Sequence, residues 1–523
     1  MLLLLLACGA KELFSESEDL LHSPTVYGVA NVDDDDENGT IDWDDDLSDD
    51  DNDLASFEIP QEYFDSLGKG EALRITQNTN GFRIYLDGRL KTNSEDDFFT
   101  LDDGDTVIEL EFQAFKTSGS FTLERIDEAK EVIESADIEA ISAPMVLNHH
   151  LQPYEHVYAM EGTGFVSNQD FISGFEAALG SKFTAYDVRQ YEWDVWLQDE
   201  VEFANVYSPE NRIDIVIDSI RDRGLDPLPE DEWEGPDMPV FSWGYESSHQ
   251  INSQDSFGNL EASPPVTVNG VRYPFGRIYY GVLDYFGEMT IVEGLTEKLE
   301  SQVVQAPFTL DITFLCVGHV DEFMTFIPDA SSEKGFKLLI TDVNAGYAFL
   351  ESLDSSMSIP KYSVKGYSTV GDILDDTHLR GLNEDIQLDY LDEAWSVLQT
   401  ELGLTEDDVI RIPMLFEEAP QCGGATATLI PSTVNMVVAT GDDGESADLV
   451  MPDPYFRSNT SSQSGDVFIE HVNSLLPAGN TPHWIDDWND YHMMLGEVHC
   501  GSNTLRTPVK NSWALGRHLL EAE

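Results

Sequence analysis

Three short segments, far apart in the chain, concentrate the side chains able to do chemistry: Trp196-Leu-Gln198-Asp199-Glu200-Val-Glu202, Gly318-His319-Val-Asp321-Glu322-Phe323 and Gly496-Glu497-Val-His499-Cys500-Gly501. Each alone is a weak signal, since a single histidine is usually a satisfied structural residue and a run of carboxylates is usually a solvated face. Together they supply a thiol, an imidazole and several carboxylates, the set used in nucleophilic thiol catalysis. His319 and Asp321 follow the apolar run ITFLCVG and precede FMTF. A strand continuing through them predicts both side chains on one face, because strand side chains alternate with period two. Polar side chains on an otherwise apolar strand face are expected to be paired or functional. Gly501 leaves the Cys500 sulfur approachable. The competing chemistry is a zinc site of His319, Asp321, His499 and Cys500. It ranks behind, because no C-x-x-C or H-E-x-x-H spacing accompanies these residues.

Some framework must bring these segments together. From Pro24 to about Ala140, apolar and polar residues alternate in GFRIYLDG, DTVIELEFQAF and GSFTLERI, with Gly and Asp turns between. That is the pattern of an all-β sandwich. From about Ile141 to the end, strand-like runs (KGFKLLITD, VDEFMTFIP, DVIRIPMLF) alternate with helical spacing. Phe171, Phe175 and Leu179 predict a helix over Asn168–Leu179 stopped by Gly180; Leu391, Trp395, Leu398 and Leu402 predict another before Gly403. Alternating strands and helices make residues 141–523 an α/β domain. Periodicity does not distinguish a barrel, an open sheet or a propeller.

The 523 residues carry 100 Asp+Glu against 27 Lys+Arg, a formal charge of -73. Phosphate contacts need clustered Lys and Arg, so nucleic acid is not an expected partner. Metal cations and basic protein segments are. Within the acidic block Asp33–Asp53, the residues Asp34, Asp36, Asn38, Gly39, Ile41, Asp42 and Asp45 fall at positions 1, 3, 5, 6, 8, 9 and 12 of a calcium loop. Calcium takes about six to eight hard oxygens, and such a loop needs its Gly and its apolar anchor where Gly39 and Ile41 stand. Read as charge alone, the block is a solvated tail. Four cysteines in this length do not make a disulfide scaffold. Cys316, in ITFLCVG, reads as a buried inert thiol, and Cys422, in QCGGA, has no evident role.

Residues 1–23 begin MLLLLLACGAKE and read as a targeting segment and tether. Leu5-Leu6-Ala7-Cys8-Gly9 resembles a bacterial lipobox, in which Cys8 would be acylated and hold the protein at a membrane surface. The expectation is a secreted or cell-surface lipoprotein. The basic n-region is missing, and a short apolar extension of no consequence is the alternative. No later run offers the roughly 18 apolar residues of a membrane-spanning helix.

The segments WLQDEVEF, DSIRDRGL, DSFGNLEASPPVTVNG, VGHVDEF, ELGLTEDDVIRIP and GEVHCGSN resemble, in that order, blocks of the protein-arginine deiminase family. The resemblance runs from about Ala143 to Trp513. The acidic β-rich zone resembles, more loosely, that family's calcium-binding immunoglobulin-like middle domain. What this implies is a five-bladed α/β-propeller of ββαβ modules over residues 141–523, preceded by an immunoglobulin-like sandwich over residues 24–140. The vertebrate enzymes carry a further amino-terminal domain that takes part in dimer contacts; the chain has no room for one, which leans towards a bacterial-type monomer.

The activity the resemblance implies is calcium-dependent hydrolysis of protein arginine side chains to citrulline and ammonia, through a covalent thiouronium on Cys500. His319 falls on the family's general acid/base, and Asp199 and Asp321 on the carboxylates that grip the guanidinium. Trp196 matches a tryptophan packed along the arginine's aliphatic stem. Arg221 and Arg223 fall on arginines that contact the substrate backbone; salt bridging to neighbouring acids is the plainer alternative. Gln198, Glu202 and Glu261, with the carbonyls of Phe257 and Leu260, would hold one calcium ion. Glu200, Asp218, Asp222 and the Ser219 carbonyl would hold a second, the family usually having Asn where Asp222 stands. Met494 stands where vertebrate members often carry a basic residue. Free arginine or agmatine as substrate, and a catalytically idle calcium-dependent binder of basic proteins, are the other readings.

Overall fold

The structure, a computed structural model, describes residues 25–35, 40–44, 53–164, 167–244, 249–284 and 288–522. Cys8 and the calcium-loop positions Asp36, Asn38 and Asp45 lie outside the described residues. The chain is mixed α/β, with more sheet than helix.

Two sheets share one core at the amino-terminal end. One runs in the order Thr25–Gly28, Val132–Ser142, Ser118–Ile126, Ala72–Gln77, Phe98–Leu101, and the other Ala55–Glu58, Val107–Phe112, Phe82–Leu86, Arg89–Thr92. Period-two burial is plain in Ala72–Gln77, where Leu73, Ile75 and Gln77 point inward. Ile75, Phe121 and Ile138 of the first sheet belong to the same buried cluster as Ile84, Leu110 and Phe112 of the second.

Beyond residue 142, apart from the two-stranded hairpins Val266–Val268/Val271–Tyr273 and Phe416–Glu418/Thr426–Thr428, the strands gather into five small sheets, and each repeats one plan. An antiparallel pair is followed by a helical segment and then a strand parallel to the second member of the pair. The pairs are Val201–Tyr207 with Arg212–Asp218, Leu260–Ala262 with Ile278–Asp284, Met324–Pro328 with Phe336–Asp342, Val437–Thr440 with Ala447–Pro452, and Ser502–Arg506 with Tyr154–Glu161. The last pair joins the carboxyl-terminal strand to one from the start of this region. The parallel strands are Val240–Phe241, Phe308–Asp311, Val409–Pro413, Asn480–Ile485 and Phe183–Asp187.

The helices form where the apolar spacing places them. Gln169–Leu179 buries Phe171, Ile172, Phe175 and Leu179, and Gly180 ends it with φ 57°. Asp392–Leu402 buries Trp395, Leu398 and Leu402 and ends at Gly403, whose φ of 63° carries no Cβ penalty in glycine. Among the described residues no helix is long and apolar enough to cross a membrane.

One reading of the cysteines is overturned. Cys316 and Cys422 form a disulfide, with Cα atoms 5.5 Å apart across 106 residues of sequence. The Cys316 N–H donates to the Thr426 carbonyl at 2.8 Å, so the hairpin Phe416–Glu418/Thr426–Thr428 carries the second thiol to the first. Cys500 is the free cysteine among the described residues.

Candidate active site

The candidate catalytic residues, and two neighbours the sequence did not single out, Gly258 and Asn435, lie in the turns that lead into the first strand of each unit. Asp199 is in the single helical turn Leu197–Glu200, directly before Val201–Tyr207. Gly258 is in Phe257–Asn259 before Leu260–Ala262, and His319 and Asp321 are in or beside Val320–Glu322 before Met324–Pro328. Asn435 precedes Val437–Thr440, and Cys500 precedes Ser502–Arg506. All five units therefore contribute.

The strand expected to run through His319 and Asp321 is absent. Gly318 turns the chain with φ 82°, and His319 caps a turn of 3-10 helix. The Glu322 carboxylate stabilises that turn by accepting from the N–H groups of Gly318 (3.0 Å) and His319 (2.9 Å). The two side chains still converge, but through the turn rather than the pleat. They meet over Gly258, where an added Cβ would lie 2.6 Å from His319 Nδ1 and 3.0 Å from Asp321 Oδ2.

His319 is fully buried, and its Nε2 lies 2.8 Å from the Ser253 carbonyl. A carbonyl only accepts, so Nε2 carries a proton and Nδ1 is the nitrogen that faces the site, 3.7 Å from Asp199 Oδ1. Cys500 is 4% exposed, with Sγ 3.7 Å from Asp321 Oδ2. Burial, then the charges of Asp321 and Asp199, push its thiol well above the usual range. Asn435 donates from Nδ2 to this sulfur at 3.2 Å, and its Oδ1 accepts from the N–H groups of His499 (3.0 Å) and Cys500 (3.3 Å). The Trp196 ring packs against Gly496, where any Cβ would collide with the ring while standing 3.3 Å from Cys500 Cβ.

Asp199 already holds a guanidinium. Arg223 Nη1 lies 3.0 Å from its Oδ2 and Arg221 Nη1 3.5 Å, while Arg223 also reaches Asp194 at 3.2 Å and Arg221 bonds Ser256 Oγ. Both arginines thus take the salt-bridged arrangement in this structure. A cavity lined by Trp193, Trp196, Arg223, Asp490 and Met494 opens beside them.

Residues 133–514 match the family model described as protein-arginine deiminase (PAD). The chain belongs to the protein-arginine deiminase family. It is 34% identical over 383 residues to the protein-arginine deiminase type-4 of Rattus norvegicus, covering 71% of this chain and 55% of that protein. It is 35% identical over 395 residues to the type-1 enzyme of Homo sapiens and 33% over 386 residues to the human type-3 enzyme, with the same shares of chain covered. The chain spans about half the length of the curated relatives it matches.

The acidic residues flanking this site have the hard oxygen donors that calcium takes. Gln198 and Glu202, four apart, face one way: Gln198 Nε2 donates to Glu202 Oε2 (2.9 Å) and to the Phe257 carbonyl (3.3 Å). Burial and then the Glu261 charge push Glu202 well above its ordinary range. Leu260, whose carbonyl the resemblance adds to this set, is in the strand leading to Glu261. Glu200 faces the other way. The register pairing Val201 with Asp218 sets Glu200 beside Asp218, and the Ser219 N–H donates to the Glu200 carbonyl at 2.9 Å. Glu200 is fully buried, and neither carboxylate oxygen has a hydrogen-bond partner among the described residues. Burial and then the Asp218 charge push it up to about 9; burial, then Glu230, Asp226 and Asp222, push Asp218 up to about 8. Asp222 has φ 46°, a left-handed conformation that Asn and Asp tolerate best after glycine.

The acidic block behaves differently from the loop expected of it. Ile41, assigned as its apolar anchor, is 40% exposed. Asp34 and Asp42 are described, and the buried Asp42 carboxylate accepts from the Asp35 N–H at 3.2 Å. The carboxylates brought together are those of Asp33, Asp53 and Asp237, with oxygens within 4.8 Å of one another. Asp237 stands far along the chain, so no local pattern could have joined it to the block.

Proposed function

We propose that the chain is a calcium-dependent protein-arginine deiminase, converting peptidyl-arginine and water to peptidyl-citrulline and ammonia. The observation that carries this is the convergence of a buried thiol, a histidine and two carboxylates on one point, with a guanidinium already held by one of the carboxylates. The five ββαβ units fit blades of a propeller around that point, with the two-sheet unit before it an immunoglobulin-like sandwich.

A guanidinium is planar and cationic, so Asp199 and Asp321 orient it by charge-assisted hydrogen bonds on either side of its carbon. Its charge also offsets the repulsion that raises the Cys500 thiol, favouring the thiolate once substrate is bound. The Cys500 thiol proton passes to His319 Nδ1, Sγ bonds to the guanidinium carbon, and Nδ1 gives that proton to the departing amine, whose C–N bond breaks as ammonia leaves. The covalent thiouronium is resolved when His319 Nδ1 takes a proton from water. The new C–O bond forms, the C–S bond breaks, and citrulline is released. Trp196 lies along the substrate's aliphatic stem. Arg223 and Arg221 leave Asp199 for the peptide carbonyls as substrate enters.

Gln198, Glu202 and Glu261 with the Phe257 and Leu260 carbonyls would hold one calcium ion, Glu200, Asp218, Asp222 and the Ser219 carbonyl a second, and Asp33, Asp53 and Asp237 another. When bound, calcium would supply the charge that lets the carboxylates of each group lie together ionised. The deciding assay measures citrulline from a blocked arginyl peptide, free arginine and agmatine, each with calcium and with chelator. The peptide with calcium is expected to dominate. Preference for free arginine or agmatine would overturn the substrate, and full activity in chelator would overturn the cofactor.

A further inference from the structure

Beneath the catalytic turns, His150, Glu261 and His499 are buried with one ligand atom each within 4.8 Å of the others. His150 Nε2 lies 3.3 Å from Glu261 Oε2, and His499 Nε2 lies 3.6 Å from Glu261 Oε1. These are long for N–H···O hydrogen bonds, which cluster near 2.9 Å. They are close to the ~3.3 Å edge of a tetrahedron whose donors stand about 2.0–2.1 Å from a zinc ion. The opposite nitrogen of each ring is already held: His499 Nδ1 by Asp321 Oδ2 at 2.9 Å, and His150 Nδ1 by Thr325 Oγ1 at 2.9 Å. A carboxylate only accepts, so His499 Nδ1 carries the proton in that bond, and Nε2 is the nitrogen turned towards Glu261 and His150. Carboxylate–histidine–metal chains are built this way. Nearby, Arg506 gives its guanidinium to the carbonyls of His150, Gln152 and Val438 at 3.0–3.1 Å.

We propose that His150, Glu261 and His499 form a binding site for a zinc-class divalent transition metal, distinct in chemistry from the oxygen-lined calcium sites. Imidazole nitrogen suits zinc, cobalt, nickel and copper and is a poor ligand for calcium. On the calcium reading given above, Glu261 belongs to both sites, so the two metals antagonise each other and each weakens the other's affinity by the same factor.

The test is a cobalt(II) titration of the full chain in calcium-free buffer, read by visible d–d absorption and equilibrium dialysis. One tetrahedral cobalt should bind, and zinc should displace it. His150→Asn should weaken binding at least about 100-fold, and Thr325→Val, which keeps all three ligands, about 10–100-fold. Melting curves in chelator confirm that each variant is folded. Absence of the cobalt spectrum, or binding unchanged by both substitutions, overturns the site. Calcium should compete with cobalt. If it does not while Glu261→Gln still abolishes cobalt binding, the transition-metal site stands, and the assignment of Glu261 to calcium is what fails.

Discussion

Atomic crowding decides which side chains can act at the centre. Gly258 matters for what it lacks, since a methyl there would press on both His319 Nδ1 and Asp321 Oδ2. Gly258→Ala is therefore expected to cost about 1–3 kcal/mol in stability and, through displacement of roughly 1 Å, about 100-fold in kcat. Steady-state kinetics beside a melting curve would separate the two effects; kcat within twofold of the parent would show that the histidine has slack. Asn435 makes a second test at this scale, because it holds both the sulfur and the backbone on either side of it. Asn435→Asp keeps the two acceptor bonds and adds a charge beside Sγ. The Cys500 thiol should rise further, so alkylation by a neutral reagent at neutral pH should slow at least tenfold. An unchanged alkylation rate would mean that the amide does not tune the thiol.

At the scale of elements, the pairing of Val201–Tyr207 with Arg212–Asp218 forces Glu200 and Asp218 together in a buried space. Both carboxyls bind protons more tightly in the folded chain than in the unfolded one. Their contribution to the stability of the calcium-free protein is thus complete below the unfolded carboxyl range and is lost as pH rises towards 8 and 9. On the proposed function calcium would take the protons' place, so its stabilising increment should grow between about pH 6 and pH 9, with protons released on binding. Melting temperatures with and without calcium across that range check the sign; an increment that shrinks with pH would contradict it. The disulfide is the other constraint of this kind, tying a hairpin to the chain three residues before His319. Closing a 106-residue loop is worth about 4–5 kcal/mol at most by chain entropy, so Cys422→Ser should lower the melting temperature measurably without touching the site chemistry.

These elements also show what could be read beforehand. Cys500, His319 and the carboxylates around Asp199 announce themselves because reactive types crowd into short segments, and helices such as Gln169–Leu179 because apolar spacing is local. Gly258 and Asn435 gave no such signal, since a glycine and an asparagine before a strand look like ordinary turn residues. The turn at Val320–Glu322 was misread as a strand because flanking apolar runs outweighed the Gly318 that breaks them. Cys316–Cys422, His150–Glu261 and Asp33–Asp237 are meetings between distant segments, which only the assembled sheets bring about.

For the whole molecule, a charge of -73 makes every compact acidic contact costly until a cation intervenes. One such contact joins Asp33 and Asp53, near the amino-terminal sheets, to Asp237, in the five-sheet region. Asp33 Oδ2 accepts from the Asp237 N–H at 2.9 Å, and Asn211 donates to Asp53 at 3.1 Å, so the two halves are joined here by acids that repel. Burial and the Asp33 charge push Asp53 up to about 10, and burial pushes Asp33 up to about 6. Burial thus favours a proton in this cluster, and on the proposed function a calcium ion would displace it. Asp237→Asn removes one charge while leaving its backbone N–H on Asp33. In chelator the variant should melt at or above the parent's temperature, because repulsion is relieved. In saturating calcium it should gain less than the parent, because a ligand is lost. Differential scanning calorimetry over a calcium series separates these opposite shifts. An unchanged calcium increment would mean that this junction holds no ion.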